Sequence, residues 1–391
     1  MDEKSIKQAA SQYQTPFYVF DFDMLETQIH KIRAAFDANV GICYAMKANP
    51  FLIKKLESIV DCIEVCSPGE FHICERAEIN MDKVVMSGVN KKQSDVEYLL
   101  NRYSGKGVIT AESFSQWQMI ENYAAKHKLP VRVLLRLTIG NQFGMDETVI
   151  RQIIENRFSS PYVHIEGIQF FSSTQKKSSC KFETELSMLK NLCSDLQHRY
   201  GFTVEKLEYG PGLPVCYFQD EADVEDTMLA ALAEGIKALN FSGKITLEIG
   251  RYIAASCGYY VTSVIDVKVN KGHPYCIVDG GIHHLNYYGQ MMAMKKPPVL
   301  HLNKRDGELS EWTICGSLCT MNDVLVKQYP FRALCPGDTL AFGKAGAYSV
   351  TEGMSLFLSH ELPQIITYSK QDGYCLARDN FPTDRLNYYN K

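Results

Sequence analysis

Gly41-Ile42-Cys43-Tyr44-Ala45-Met46-Lys47-Ala48-Asn49-Pro50 is an apolar run that ends in a single lysine. The residue types suit a strand, and Asn-Pro stops it. A lysine at the buried end of a strand is costly while it stays charged. Burial is expected to lower its pKa, and a neutral amine attacks carbonyls. The plainer alternative is a lysine that leaves the rim and carries its ammonium into solvent. The rest of the chain decides between them.

Working outward, eight short apolar runs recur at 40–46, 62–66, 83–87, 107–111, 131–137, 164–171, 206–209 and 244–248. Helical patterns lie between them, at 69–79, 94–103, 113–127, 147–158 and 221–239. In another, Phe182, Leu186, Leu189, Cys193 and Leu196 form one apolar face. Strands alternating with helices over about 210 residues predict an α/β fold, a (β/α)8 TIM barrel. The competitor, an open doubly wound sheet, would carry a Gly-rich dinucleotide turn after an early strand, and none is present. After Arg251 the runs at 259–268, 275–278, 311–314, 339–342 and 362–367 are β-rich with Gly and Pro breaks. They predict a second, all-β, barrel-like domain. The boundaries read as 25–252 for the barrel, and 1–24 plus 253–391 for the β domain. The strand at 17–24 joins the latter because eight strands already fill the barrel. The polar tail from Arg378 is expected to be partly loose.

The chain has 391 residues, 46% hydrophobic and 22% charged, with net charge −4. That is more than one core usually holds. Without a basic stripe, nucleic acid is not an expected partner. No run approaches the roughly 18 apolar residues of a membrane span, and Met1-Asp2-Glu3-Lys4 begins no signal peptide, so a cytoplasmic protein is expected. The thirteen cysteines include no Cys-x-x-Cys. Cys62 and Cys66 lie four apart, as do Cys315 and Cys319, but only His72 is near either pair, so no metal site is expected. Free thiols in a reducing compartment are the simplest reading.

Barrels of this kind place chemistry at the C-terminal ends of their strands, where Lys47 stands. The seventh run ends in Gly210-Pro211-Gly212, whose glycines let backbone N–H groups approach an anion; a plain tight turn is the alternative. The eighth ends in Glu248-Ile249-Gly250-Arg251. A carboxylate there suits a pyridinium nitrogen, or pairs with Arg251 at the rim. At the sixth, Phe171 offers a stacking face and Ser173 a hydroxyl, unless Phe171 is only core. In the β domain Cys319 precedes Asp323 by four residues, and a thiol can deliver a proton; a structural cysteine is the commoner fate. Gly346-Ala347-Tyr348 places a phenol in a Gly-rich turn. A lysine amine, an anion cradle and an acid for a ring nitrogen are the parts needed to hold pyridoxal 5'-phosphate.

Together these pieces resemble the fold-type III pyridoxal-phosphate decarboxylases, the family of diaminopimelate, ornithine and arginine decarboxylases. Tyr44-Ala45-Met46-Lys47-Ala48-Asn49 is similar to the Schiff-base motif. Ser67-Pro68-Gly69-Glu70 resembles the second-strand turn and Gly210-Pro211-Gly212 the phosphate-cradling glycines. Glu248-Ile249-Gly250-Arg251 resembles the motif whose Glu meets the ring nitrogen. Cys319 with Asp323 resembles the pair that enters from the partner subunit, and Tyr348 the phosphate-binding tyrosine. No single motif decides; six in order do.

The resemblance implies an α-decarboxylase working as a homodimer with shared sites. Lys47, Cys319 and Asp323 would be catalytic. Phe171, Ser173, Gly210, Gly212, Glu248, Gly250, Arg251 and Tyr348 would hold the cofactor. Where the family has a ring-stacking histidine, Phe171 stands; after the cysteine, where enzymes for a distal amine carry Asp or Glu, Thr320 stands. Diaminopimelate enzymes carry an arginine after the glycine that matches Gly281. Here Ile282-His283-His284-Leu285-Asn286-Tyr287-Tyr288-Gly289 has none, which leaves Thr320, His283 and His284 as candidate substrate contacts. With Phe357-Leu358-Ser359-His360, these departures look more like a specialised-metabolite branch. In it the butirosin-type enzyme decarboxylates a glutamyl group tethered to an acyl carrier protein. A diaminopimelate decarboxylase, a racemase on the same barrel and a silent regulatory homologue remain the alternatives.

Overall fold

The computed structural model describes residues 1–287 and 292–389; Tyr288 and Gly289, which end the run just quoted, and Asn390 and Lys391 lie outside the described residues. The chain forms two compact units. One comprises Ile29–Pro214 with Val224–Gly250; the other comprises Met1–Gln28, Val215–Asp223 and Arg251–Lys391. Val215–Asp223, expected in the barrel portion, thus belongs to the second unit, where Tyr217 and Phe218 pack their rings against Tyr287.

Phe17–Asp21 is β1. The first unit then closes eight parallel strands into a barrel. They are β2 (Val40–Ala45), β3 (Cys62–Val65), β4 (Val84–Met86), β5 (Val108–Ala111), β6 (Val131–Leu137), β7 (Val163–Phe171), β8 (Lys206–Gly210) and β9 (Lys244–Ile249). Strands covered on both faces read as near-continuous apolar runs, which is why each one stood out in the sequence. Closure pairs β2 with β9, Cys43 opposite Glu248, and β2 with β3, Ala45 opposite Glu64. That register brings Lys47, two residues beyond β2, between carboxylates of its two neighbours. The helix Cys180–Tyr200 buries Phe182, Leu186, Leu189, Leu192 and Leu196, with Leu192 in place of the predicted Cys193. Each such side chain contributes about 2 kcal/mol by leaving water. Gly201, at φ +59°, ends the helix in the left-handed region.

In the second unit a nine-stranded sheet takes over. Its later strands are β10 (Gly258–Asn270), β11 (His273–Val278), β12 (Val299–His301), β13 (Ser310–Cys315), β14 (Val324–Phe331), β15 (Thr339–Phe342), β16 (Gln364–Ser369) and β17 (Gly373–Arg378). The order is β14-β13-β11-β10-β1-β16-β17, with β15 on β10 and β12 on β15. β1 lies antiparallel to β10 and parallel to β16, and is buried throughout. The helix Glu3–Gln12, β12, β14 and β17 were not foreseen. Only Ile6 and Ala9 of that helix are buried, against Phe17, Val19 and Val261, so its apolar signal is slight. None of the thirteen cysteines is in a disulfide. Among the described residues no helix is long and apolar enough to cross a membrane.

Candidate active site

Lys47 follows β2 in the short turn Met46–Ala48. Asn49 then takes over the chain: its carbonyl accepts from the Tyr44 hydroxyl at 2.9 Å and its side chain from the Phe51 N–H at 3.0 Å. Lys47 Nζ lies 3.0 Å from Glu64 Oε2, 3.3 Å from Glu248 Oε1 and 3.7 Å from Cys66 Sγ. The Glu64 and Glu248 side chains are 2% and 5% exposed, whereas that of Lys47 is 42% exposed. The expectation of a buried lysine is therefore corrected. The amine stands at an open mouth, paired with two buried carboxylates. Glu248 also accepts from Gln169 Nε2 at 2.8 Å. Burial and then the neighbouring Glu64 push the Glu248 carboxyl above its ordinary range, while Lys47 and Gln169 pull it back. Burial likewise pushes the Cys66 thiol up.

The Gly210–Gly212 turn follows β8. At Gly212, φ is +65° and a Cβ would sit 1.9 Å from the Ser173 carbonyl oxygen. At Gly210 a Cβ would meet the Phe171 ring at 2.6 Å. Only glycine allows the two loops this approach, and Phe171 and Ser173, both half-buried, lie directly on the turn. Gly250 lies against Ala45 and Ala48. Deeper in the same unit, Lys206 and Glu208 share one face of β8 and pair at 2.9 Å, their side chains 10% and 0% exposed.

The second unit holds the remaining candidates. Arg251 donates to the Tyr217 hydroxyl at 3.0 Å and places its guanidinium 4.3 Å from the Tyr348 ring centre, so the structure brings Arg251 and Tyr348 together. Cys319 is exposed and Thr320 half-buried. Asp323 is only 2% exposed. Its two oxygens accept backbone N–H groups, Ile282 at 2.8 Å and Leu318 at 2.7 Å, and burial raises its pKa. The carboxylate thus ties two loops together, a structural role beside the catalytic one expected of it. His283 and His284 are also corrected as substrate contacts, since they are 1% and 3% exposed within this chain. Their turn folds inward: the ring centres lie 3.7 Å apart with the planes tilted by 43°, and His284 bonds the Tyr260 hydroxyl and the Glu361 carbonyl.

Sequence reading missed Glu64, Gln169 and Cys66. A signal existed for the first: Cys62, Glu64 and Cys66 alternate along one run, and a carboxylate on the inward face of a barrel strand needs a partner.

The comparisons bear on the family and the fold. An L-glutamyl-[BtrI acyl-carrier protein] decarboxylase from Niallia circulans is 29% identical over 99% of this chain and 96% of its own. A 2-[(L-alanin-3-ylcarbamoyl)methyl]-2-hydroxybutanedioate decarboxylase from Staphylococcus aureus is 26% identical over 91% and 95%. The crystal structure of diaminopimelate decarboxylase from M. jannaschii with L-lysine superposes with TM-score 0.85, covering 97% of this chain and 92% of that one, at 20% identity; it supports the fold alone. The pyridoxal-dependent decarboxylase model, pyridoxal binding domain, matches residues 22–255. The residues present fit that cofactor. They offer an amine between two buried acids, and a Gly210–Gly212 turn held without side chains against Phe171 and Ser173. With more than half of its length matched by that model, the chain belongs to the pyridoxal-dependent decarboxylase family.

Proposed function

We propose that this decarboxylase acts on an amino acid whose far end is already joined to a larger group, in the first instance an aminoacyl group carried on an acyl carrier protein. The observation that carries the proposal is the pair of relatives above. The printed names of both describe an amino acid conjugated through a carbonyl, not a free one. The local sequence supports it. A site for a free distal carboxylate or amine needs an opposite charge, and Thr320 and the run 282–287 supply neither an arginine nor an acid. Free diaminopimelate is disfavoured on that ground.

In this reading Lys47 would hold the cofactor's aldehyde carbon, Glu248 its ring nitrogen, and the Gly210–Gly212 backbone its phosphate. Pyridoxal phosphate, when bound, supplies the electron sink for the bond broken to the carboxylate. Glu64 and Glu248 keep Lys47 oriented at the mouth, and Gln169 fixes Glu248 from its other oxygen. Cys319 donates a proton to the substrate's Cα, a contribution of roughly 10²–10⁴-fold. Asp323 shapes the loop that presents it. The exposed position of Cys319 suits a thiol that serves a partner's site, so a homodimer with shared sites is part of the proposal.

The test is carbon dioxide release measured over free amino acids and aminoacyl carrier proteins in parallel. Release from carrier-bound aminoacyl groups, with none from free diaminopimelate, is expected. Release from free diaminopimelate alone overturns the substrate assignment.

A further inference from the structure

Lys176 is the only lysine among the described residues whose side chain forms an ion pair at 0% exposure, although it lies in the hydroxyl-rich loop 172–179. Its ammonium pairs with Glu185, from the helix Cys180–Tyr200, at 2.6 Å. The same carboxylate accepts from Ser172 Oγ at 2.5 Å and from the Tyr209 hydroxyl at 2.5 Å. Ser172 directly follows β7, and Tyr209 directly precedes Gly210. One carboxylate, its side chain 13% exposed, therefore fastens the end of β7, the loop after it and the end of β8. The ammonium also lies 5.6 Å from the Phe182 ring centre and 5.5 Å from that of Tyr209, within range of both faces.

The backbone continues the connection. Lys176 N–H donates to the Gly212 carbonyl at 3.0 Å, and the Ser173 carbonyl occupies the space a Gly212 side chain would need. Gln175, at φ +53°, turns the loop through the left-handed region so that Lys176 points inward. A non-glycine residue stays in that region only where its surroundings hold it there.

We propose that Lys176 and Glu185 form a buried clasp that sets the shape of the Gly210–Gly212 turn, making Lys176 a positioning residue for the cofactor's phosphate. The inference rests on the reading that this turn takes the phosphate. Donors aimed at an anion act best when a second layer holds them still. Releasing the clasp frees Ser173 and Gly212 together, and the turn loses its fixed set of N–H groups.

The experiment titrates the full-length apoprotein with pyridoxal phosphate and, separately, with pyridoxal, which lacks the phosphate, following the absorbance of each. In Lys176→Met and Glu185→Gln the affinity for pyridoxal phosphate is expected to fall about tenfold while that for pyridoxal stays within about twofold. Ser172→Ala removes one donor without leaving an unpaired charge. It is expected to lower the phosphate-dependent affinity about threefold, and it decides the matter if the charge variants do not fold. Gly212→Ala separates the two readings. If it binds pyridoxal phosphate as wild type does, the turn is not the phosphate site. If it binds weakly while the clasp variants keep the wild-type ratio of the two affinities, the clasp has no positioning role.

Discussion

The Lys206–Glu208 pair provides a sharp energetic test of the barrel. Both groups are buried on β8 and meet at 2.9 Å. Burial opposes the ammonium, but Glu208, with Cys62 and Cys43, outweighs it and pushes the Lys206 pKa up. Burial pushes Glu208 up, and Lys206 pulls it back. Replacing Lys206 with Met keeps most of the volume and strands a carboxylate that is 0% exposed. Stranding one member of a buried pair costs about 3–5 kcal/mol. Glu208 can limit that loss by taking up a proton. Its folded pKa then stands further above its unfolded value, so the folded state binds the extra proton and stability falls as pH rises through that window. The slope is at most about 1.4 kcal/mol per pH unit for one group. Urea unfolding at fixed protein concentration is therefore expected to show the full loss for Lys206→Met near pH 8 and a much smaller one near pH 5.5. Lys206→Met with Glu208→Leu, which leaves no charge, should recover most of it at both. A pH-independent loss under about 1 kcal/mol would refute the reasoning, because the carboxylate would then be solvated.

Other outcomes follow from the second unit and from the proposed sharing of the site. Burial, then the neighbouring His360, lowers His283 to about 4, so the folded state keeps it neutral while the unfolded chain takes a proton below about 6.5. Stability is fully present above pH 6.5 and declines by about 3 kcal/mol as pH falls to 4; His283→Phe should flatten that part of the profile of melting temperature against pH. Asp323→Ala leaves the Ile282 and Leu318 N–H groups without their acceptor. It should cost about 3 kcal/mol or more by denaturant unfolding; an unchanged midpoint would mean that the loop does not need the carboxylate. Cys319→Ala should retain the cofactor's absorbance band and slow turnover by about 10²-fold or more. Mixing Lys47→Ala and Cys319→Ala chains should restore part of the activity once subunits exchange; no recovery after confirmed exchange contradicts a shared site.

The eight barrel strands were legible because both of their faces are covered, which leaves uninterrupted apolar runs bounded by polar helices. Lys47, Glu248 and the Gly210–Gly212 turn were legible because each stands at the end of such a run. What escaped was set by pairing across the barrel or by local irregularity. Glu64 meets Lys47 only through the β2–β3 register, which a single sequence does not display. The inward turn of His283 and His284 depends on the bonds from His284 to Tyr260 and Glu361, distant in sequence. β14 hid because Lys327, Gln328 at φ +52° and Pro330 interrupt its alternation.

Borohydride reduction of the pyridoxal-phosphate-loaded protein, followed by peptide mapping, tests the central claim most directly. A pyridoxyl group fixed to the peptide that contains Lys47, and absent when that residue is alanine, is the predicted result. A label on another lysine, or one that survives Lys47→Ala, would contradict the assignment of this amine, held between Glu64 and Glu248, as the group that carries the cofactor.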